Sequence, residues 1–438
     1  MFPQLFLKKI FKSSIVINFV ILLFFLPLTS VKAEESSSSL TLGSLTKEAL
    51  ANNRELQAAR EQLQAVKHRV PQSSALPDPT VGYAIMGPDL ETPLGPQRDI
   101  YEFEQMIPFP GKLLEKRKMA RAEVDATQAQ LKAVERDVIL KVSEAYYDLY
   151  AVEVTLQVTE EIQDLLKKFE AVAQARYSSQ KGEQRDVAKA QAEVSDTIQR
   201  VFILRQQKQT LVALLNALLN RNSNTQFDKI TQPELPKSAL SLDQLLDEAR
   251  QNRPELLEAK AMLKKDQHAN SLAKYEYAPD ISVGFQYTRI GVGNSTDPDA
   301  GRDAWMIPLK FTVPLWQNRI VPAVQEARRT LNSSEAKLGQ MENLTEYEIK
   351  SAYYRFTTAK QTVELYENAL IPEAELAFRS DQAGYEAGRT DILNLIDSER
   401  VYLNARIAYY QALSEALKSY AAIERTVGMD LSNKGENQ

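Results

Sequence analysis

The sequence contains no cysteine. That excludes a disulfide framework, a thiolate metal site, a cysteine nucleophile and an N-terminal lipid anchor attached through sulfur. Histidine is nearly absent too, with only His68 and His268. These two occupy the same place in the two halves described below, but a pair of imidazoles without clustered carboxylates makes a poor metal site. They are expected to be ordinary polar helix positions. No nucleophile and base pair, ligand cluster or phosphate loop stands out, so the chain is not expected to be an enzyme.

Long apolar runs are also lacking beyond the N-terminus. A spanning helix needs about 20 consecutive apolar residues, and no later segment approaches that. If the protein crosses a bilayer, it must do so with strands closed into a barrel. At the N-terminus, Lys8, Lys9 and Lys12 precede an apolar run from Ile15 to Leu28 and then Val31-Lys32-Ala33. This is the pattern of a secretory signal peptide, so residues 1–33 are expected to be removed. The whole chain has 53 basic and 58 acidic residues. The leader holds four of the basic ones and no acid, leaving the remainder at a net charge of −9. Nucleic acid is a poor partner for such a surface.

What is present is one pattern written twice. Leu40-Thr41-Leu42, Leu45, Glu48-Ala49, Asn52, Glu55-Leu56 and Ala59 recur as Leu240-Ser241-Leu242, Leu245, Glu248-Ala249, Asn252, Glu255-Leu256 and Ala259. Farther along, Asp78-Pro79-Thr80-Val81-Gly82-Tyr83 is answered by Asp280-Ile281-Ser282-Val283-Gly284-Phe285, and Ala145-Tyr146-Tyr147 by Ala352-Tyr353-Tyr354. Self-similarity of this extent predicts an internal repeat, with residues 34–230 as the first unit, 231–428 as the second and 429–438 as a polar tail. The stretch from Arg221 to Ser238 reads as the linker.

Each unit predicts the same order of elements. A helix comes first, over Leu45 to Val70 and Leu242 to Lys274. Two strands follow, near 80–87 and 99–108 in the first unit and 280–290 and 303–313 in the second. Their alternation of apolar and polar residues gives one apolar face. Loops rich in Gly, Pro and Asp separate them, over Gly87 to Gln97 and Gly291 to Gly301. From Leu113 to Arg176 there is neither glycine nor proline, which predicts a helix close to 100 Å long at about 1.5 Å per residue. Leu131, Val134, Val138, Val142, Ala145 and Leu149 step by three or four, as do Ile349, Ala352, Phe356, Ala359 and Val363, and such steps make a coiled-coil seam. Helical pattern resumes after Gly182 and Gly388, so each unit ends as an antiparallel hairpin. The Tyr146-Tyr147 and Tyr353-Tyr354 pairs are expected to pack along helix interfaces. Four strands per chain cannot close a barrel that starts at about eight. Pooling strands from several chains resolves this, and a trimer would supply enough.

The segments Gln105-Met106-Ile107-Pro108-Phe109-Pro110-Gly111-Lys112, Ala145-Tyr146-Tyr147, Tyr385-Glu386-Ala387-Gly388 and Asp391-Ile392-Leu393-Asn394-Leu395-Ile396-Asp397-Ser398-Glu399-Arg400, in this order, resemble the TolC family of outer-membrane efflux proteins. The resemblance spans residues 40 to 428. It implies an α+β membrane protein: a homotrimeric outer-membrane β-barrel with four strands per chain, continuous with a periplasmic α-helical coiled-coil barrel. It implies an exit duct for substrates delivered by a periplasmic adaptor and an inner-membrane pump, with no cofactor. The Leu76-Pro77-Asp78-Pro79 and Pro108-Phe109-Pro110-Gly111-Lys112 segments look closest to the branch serving heavy-metal pumps of the resistance-nodulation-division class. By matching the segment after the second turn, Asp397 and Asn394 fall on positions lining the periplasmic aperture, and Tyr385 and Asp186 on positions that link the tips. Asn394 departs from the acidic residue often found there. Tyr177, Gly182, Gly388 and Arg389 fall on the adaptor-facing tips. Asp186 and Asp391 have a second possible use, as caps of the returning helices. The competing function is a periplasmic coiled-coil adaptor or structural envelope protein, which would not need strands with an apolar face.

Overall fold

The computed structural model describes residues 41–87, 91–228, 230–236, 241–294 and 296–431. The expected signal peptide at 1–33 and most of the polar tail lie outside them. Two short helices begin the chain, α1 (Leu42–Asn52) and α2 (Arg54–Ser73), followed by strands β1 (Thr80–Ile85), β2 (Glu91–Thr92) and β3 (Gly95–Ile107). Next come the helices α3 (Pro110–Ser178) and α4 (Gln184–Leu218). The order then recurs with α5 (Leu242–Asn252), α6 (Pro254–Lys274), β4 (Ile281–Ile290), β5 (Ala304–Met306), β6 (Leu309–Phe311) and α7 (Gln317–Leu365). Helices α8 (Ile371–Glu386) and α9 (Ile392–Val427) complete the chain.

The long helix arises where the sequence withholds every breaker. α3 runs for 69 residues, about 100 Å at 1.5 Å per residue. Pro110 starts it, because proline's fixed φ suits a first turn whose N–H groups are unpaired anyway. The second long helix is not continuous as expected. A π turn at Tyr366–Leu370 separates α7 from α8. Pro372 follows immediately; it has no N–H and its ring crowds the carbonyl one turn back, and a widened turn absorbs both defects.

The leading helices also differ from expectation, for each breaks in two. Asn53 and Arg253 are extended, with ψ of 130° and 120°. Asn53 leaves the helix because its side-chain oxygen caps α2, accepting from the Leu56 N–H. Arg253 precedes Pro254, which disfavours helical backbone in the residue before it. Both breaks serve a joint between helix ends. Asn53 donates from Nδ2 to the Leu218 carbonyl, 2.9 Å away at the end of α4, so α2 carries on beside α3 where α4 stops. In the second half α9 ends at Gly428, whose backbone lies against Asn252 and Pro254, so α6 carries on where α9 stops.

The strands form one antiparallel sheet in the order β1, β3, β4, then β5 and β6, which both pair with β4. The fourth expected strand is thus split, because Pro308 cannot donate to the ladder; only its carbonyl joins, accepting from the Gly284 N–H. The first expected loop is shorter than foreseen, since β3 starts at Gly95 and its first residues pair with β2. Sheet and helices are tied at one buried ion pair. Lys112, in the first turn of α3, places Nζ 3.0 Å from both carboxylate oxygens of Asp280 at the head of β4, and Asp280 also accepts from the Phe109 N–H.

Three apolar clusters line the helices. One joins α1, α3, α4, α7 and α9 around Leu149, Leu215 and Leu417. A second joins α5, α7 and α9 around Ile349 and Ile423. The third, at the hairpin ends, joins α3, α4, α8 and α9 around Leu166, Phe378 and Leu395. Tyr146 lies in the first cluster with Tyr147 against it, edge to face at 5.6 Å, and Tyr353 packs against the second, whereas Tyr354 is exposed.

Gly428 tests the joint. Its φ is +86° and an added Cβ would lie 2.5 Å from the Asn252 carbonyl oxygen. Gly428→Ala should therefore lower stability by more than about 1 kcal/mol, read as a lower thermal midpoint. An unchanged midpoint would mean that the two helix ends do not bear on each other.

Candidate functional site

Two regions lie at opposite ends of α3: the sheet and the hairpin tips. The sheet alternates as the sequence predicts, and its register stacks like residues together. Val81 faces Phe103, Tyr83 faces Tyr101, and these continue to Phe285 and Tyr287 on β4, with Trp305 opposite Tyr287 and Leu309 opposite Val283. The result is a wide apolar face open to its surroundings, with Val81 81% and Trp305 67% exposed. Bare apolar area of this extent is not tolerated in water without a partner or lipid. At one margin it ends in a polar fringe. Tyr83 donates to Asp99 at 2.8 Å, Arg289 pairs with Asp99 at 3.1 Å, and Tyr287 donates to Asp303. The opposite face carries Glu102, Glu104, Ser282, Gln286 and Lys310, with Lys310 2.6 Å from Glu104. Both outer edges, β1 and β5 with β6, pair on one side only among the described residues. No helix among the described residues is long and apolar enough to cross a membrane.

At the tips, two turns have the same hydrogen-bond pattern. The Lys181 N–H reaches the Arg176 carbonyl and the Arg389 N–H reaches the Gly384 carbonyl, each at 2.8 Å, which is the six-to-one closure of a helix C-terminus. Such closure needs one left-handed residue. In the second turn that is Gly388, φ +70°, and in the first it is Gln180, φ +59°. Gly182 sits in the first tip but is not its left-handed residue. Tyr177, Gly388 and Arg389 are exposed at the tips.

Asp186 acts on Tyr385 through its charge, and no hydrogen bond joins the two among the described residues. Tyr385 is buried, and burial raises its phenol above the ordinary range, with Asp186 and Asp391 raising it further and Arg176 opposing. Oδ1 of Asp186 is buried without a hydrogen bond. The capping alternative is not realised as expected. Asp391 holds the capping position of α9 without a side-chain bond, and Asp186 lies in the first turn of α4 behind Glu183. Asn394 and Asp397, three residues apart, lie on the exposed face of α9, away from the buried Leu395 and Ile396.

Two tip residues were missed from sequence. Arg176 donates from Nη1 to the Tyr385 carbonyl at 2.9 Å and lays its guanidinium 5.0 Å from the centre of the Tyr385 ring. One side chain thus joins the two hairpins. An arginine in a last helical turn is too common to signal this. Glu399 is the other, and its signal was available: Ile392, Leu395, Ile396 and Leu403 form the buried stripe of α9, and Glu399 falls on it. The two histidines have different surroundings. His68 is exposed, and His268 bonds through Nδ1 to Glu115 at 2.8 Å. No group of three metal-ligating side chains exists among the described residues.

An apolar-faced sheet set on long helical hairpins is the arrangement of a membrane-embedded channel protein. Residues 45–221 and 245–429 both match the family described as outer membrane efflux protein. The chain belongs to that family, and its place is the outer membrane with extension into the periplasm. It is 21% identical to the cobalt-zinc-cadmium resistance protein CzcC of Cupriavidus metallidurans over 401 residues, 90% of this chain and 91% of that protein. Among solved structures it is similar to the outer-membrane channel OprN, with a TM-score of 0.76 at 18% identity over 89% of this chain and 90% of that one. It is also similar to the outer membrane protein VceC of Vibrio cholerae, with a TM-score of 0.74 at 18% identity over 89% and 96%.

The Arg176 tie gives a direct measurement. Arg176→Ala removes a charge-assisted hydrogen bond, worth about 1.5–3 kcal/mol, so amide exchange across residues 384–391 should speed by roughly ten- to a hundredfold. Arg176→Lys should recover only part, because lysine lacks the planar fork that bonds and stacks at once. Unchanged exchange would show that the turn is held by its own backbone closure.

Proposed function

We propose that three copies of this chain form a passive exit duct in the outer membrane, conducting substrates handed over by a periplasmic adaptor and an inner-membrane pump. The observation that carries this is the sheet: apolar on one face, polar on the other, and unpaired at both edges. Three such sheets joined edge to edge satisfy every edge and exceed the number of strands at which barrels begin, about eight. Apolar residues stranded on the helices support the same assembly. Phe202, Ile203 and Leu214 on α4, and Tyr347, Tyr354 and Leu376 on α7 and α8, are exposed in a single chain and are surfaces for a neighbouring copy. The internal repeat, 34–230 and 231–428, accounts for the family matching twice and gives the assembled tube a pseudo-sixfold character. A coiled-coil adaptor or tether has no use for the apolar-faced sheet, which is why the duct is preferred.

The tips are the closable end. In the trimer Asp397 lines the aperture, with Asn394 one turn nearer the tip, while Arg176, Tyr385 and Asp186 hold the two hairpins together. Tyr177, Gly182, Gly388 and Arg389 are the surface offered to the adaptor. Chemistry is supplied by the partners, and the pump is of the resistance-nodulation-division class or a related one. The likeness to a cobalt-zinc-cadmium resistance protein favours divalent metal ions as cargo, with drugs or other small molecules as the second choice.

Crosslinking of the detergent-solubilised protein should trap three chains, and a stable monomer with a closed barrel would refute the assembly. In planar bilayers the trimer should prefer cations, because three carboxylates at a narrow point attract them. Asp397→Ala should weaken that preference while leaving the trimer intact. Unchanged selectivity would place the constriction elsewhere.

A further inference from the structure

Glu399 is 1% exposed, and it stands in the apolar stripe of α9 between Ile396 and Leu403. Its Oε1 is buried with no hydrogen-bond partner among the described residues. The cations within reach are already engaged. Arg400, beside it on α9, is 2.7 Å from Glu193 of α4, and Arg200 of α4 is 2.9 Å from Asp196. Glu193 itself adds a like charge. From α3 and α8 the same core receives Leu166, Phe169 and Phe378, all apolar, and the charged groups that act most on Glu399 are Glu193, Arg400 and Arg200 of α4 and α9. An ionised carboxylate in such a place lacks both water and a counter-ion, whereas a neutral carboxylic acid fits at far lower cost.

We propose that Glu399 is a proton-binding site whose occupancy sets how tightly α9 packs at the hairpin ends, making closure of the tips dependent on periplasmic pH. Burial, reinforced by Glu193 and opposed by Arg400 and Arg200, pushes the Glu399 carboxyl from 4.5 up to about 7. The sign follows from proton uptake. The packed state binds the proton more tightly than a loosened, hydrated state, so packing is firmest below 4.5, weakens as pH rises toward 7, and changes no further above it. Each unit of the shift is worth about tenfold in the packing equilibrium. Glu399 lies two residues from Asp397 on the same helix, so loosening here moves the residue that lines the aperture. The conductance consequence rests on the duct proposed above; the packing consequence does not.

Two readouts on the full-length trimer separate the two. Amide exchange across residues 392–403, corrected for intrinsic rates between pH 5 and 8.5, should rise with a midpoint near 7, and spontaneous openings in planar bilayers should rise with it. Glu399→Gln, isosteric but unable to ionise, should hold both flat at the acidic level. Glu193→Gln removes the like charge and frees Arg400, so it should keep the transition and move it to lower pH. A pH-dependent exchange that Glu399→Gln abolishes, in a protein that conducts nothing, supports the proton site and sinks the duct. A transition that persists in Glu399→Gln, or a midpoint that Glu193→Gln leaves in place, overturns the proton site.

Discussion

Inside hydrocarbon no water is available to satisfy a peptide N–H or C=O, and each one left bare costs several kcal/mol. The sheet of this protein meets that demand along its interior and fails it at both edges. Its register is nevertheless fixed, since a slip by one residue would turn Val81, Tyr83, Phe103 and Phe285 to the polar side and bring Glu102 and Glu104 to the apolar one. Face and edge therefore impose separate conditions. The apolar face calls for lipid, and in the proposed duct the bare edges are satisfied by further copies of the same sheet. In the assembly proposed above the helices follow suit: hairpins that leave a common ring of strands stand in a ring, and apolar residues exposed on a single chain, such as Phe202 and Tyr354, are the ones it would cover.

A helix as long as α3 needs neighbours along its whole length, because isolated helices gain little from propensity alone. Two shorter pieces supply them on each side. α4 covers the lower half of α3 and α2 the upper half, meeting where Asn53 bonds the Leu218 carbonyl. In the second half of the chain the pieces are α9 and α6, meeting at Gly428. The breaks at Asn53 and Arg253 let the chain leave one helical row and enter the next without exposing helix ends. Arg253 is buried at its joint and bonds Glu348 and Glu255, while Arg425 reaches Glu255 at 2.6 Å. The two joints thus use different chemistry for one geometric task.

Much of this was legible in the sequence, and the parts that were not share a cause. Strand alternation and the long helix without glycine or proline are local patterns, and each appears where it was expected. Pro308 and Pro372 were visible, yet their effects, a split strand and a π turn, depend on how the surrounding ladder and helix absorb a missing donor. The break at Asn53 was hidden because asparagine also occurs inside helices, and what fixes it here as a cap at a joint includes a carbonyl supplied from far along the chain, that of Leu218. Arg176 was hidden for the same reason: its partners lie in the other hairpin. Glu399 differs, since a charge on an apolar stripe is legible by counting turns. The family pattern drew attention to the exposed Asp397 and away from its buried neighbour.

The two ends of α3 are held by bonds of different kinds, and this decides where the protein can move. At the sheet, Lys112 and Asp280 form a buried pair with a further backbone bond. Separating them would leave two desolvated charges, which costs several kcal/mol. At the tips one arginine and one phenol join the hairpins, and the apolar core there is interrupted by a carboxyl group. Loosening the tips exposes groups that water can serve, such as Asp186 and Glu399, so hydration offsets part of the lost packing. A junction rigid at the membrane and compliant at the far end concentrates movement where the partners of an efflux system meet it. In the duct proposed above, the polar groups that weaken the tip core are part of how it opens, and replacing them with apolar residues would give a more stable tube that stays shut.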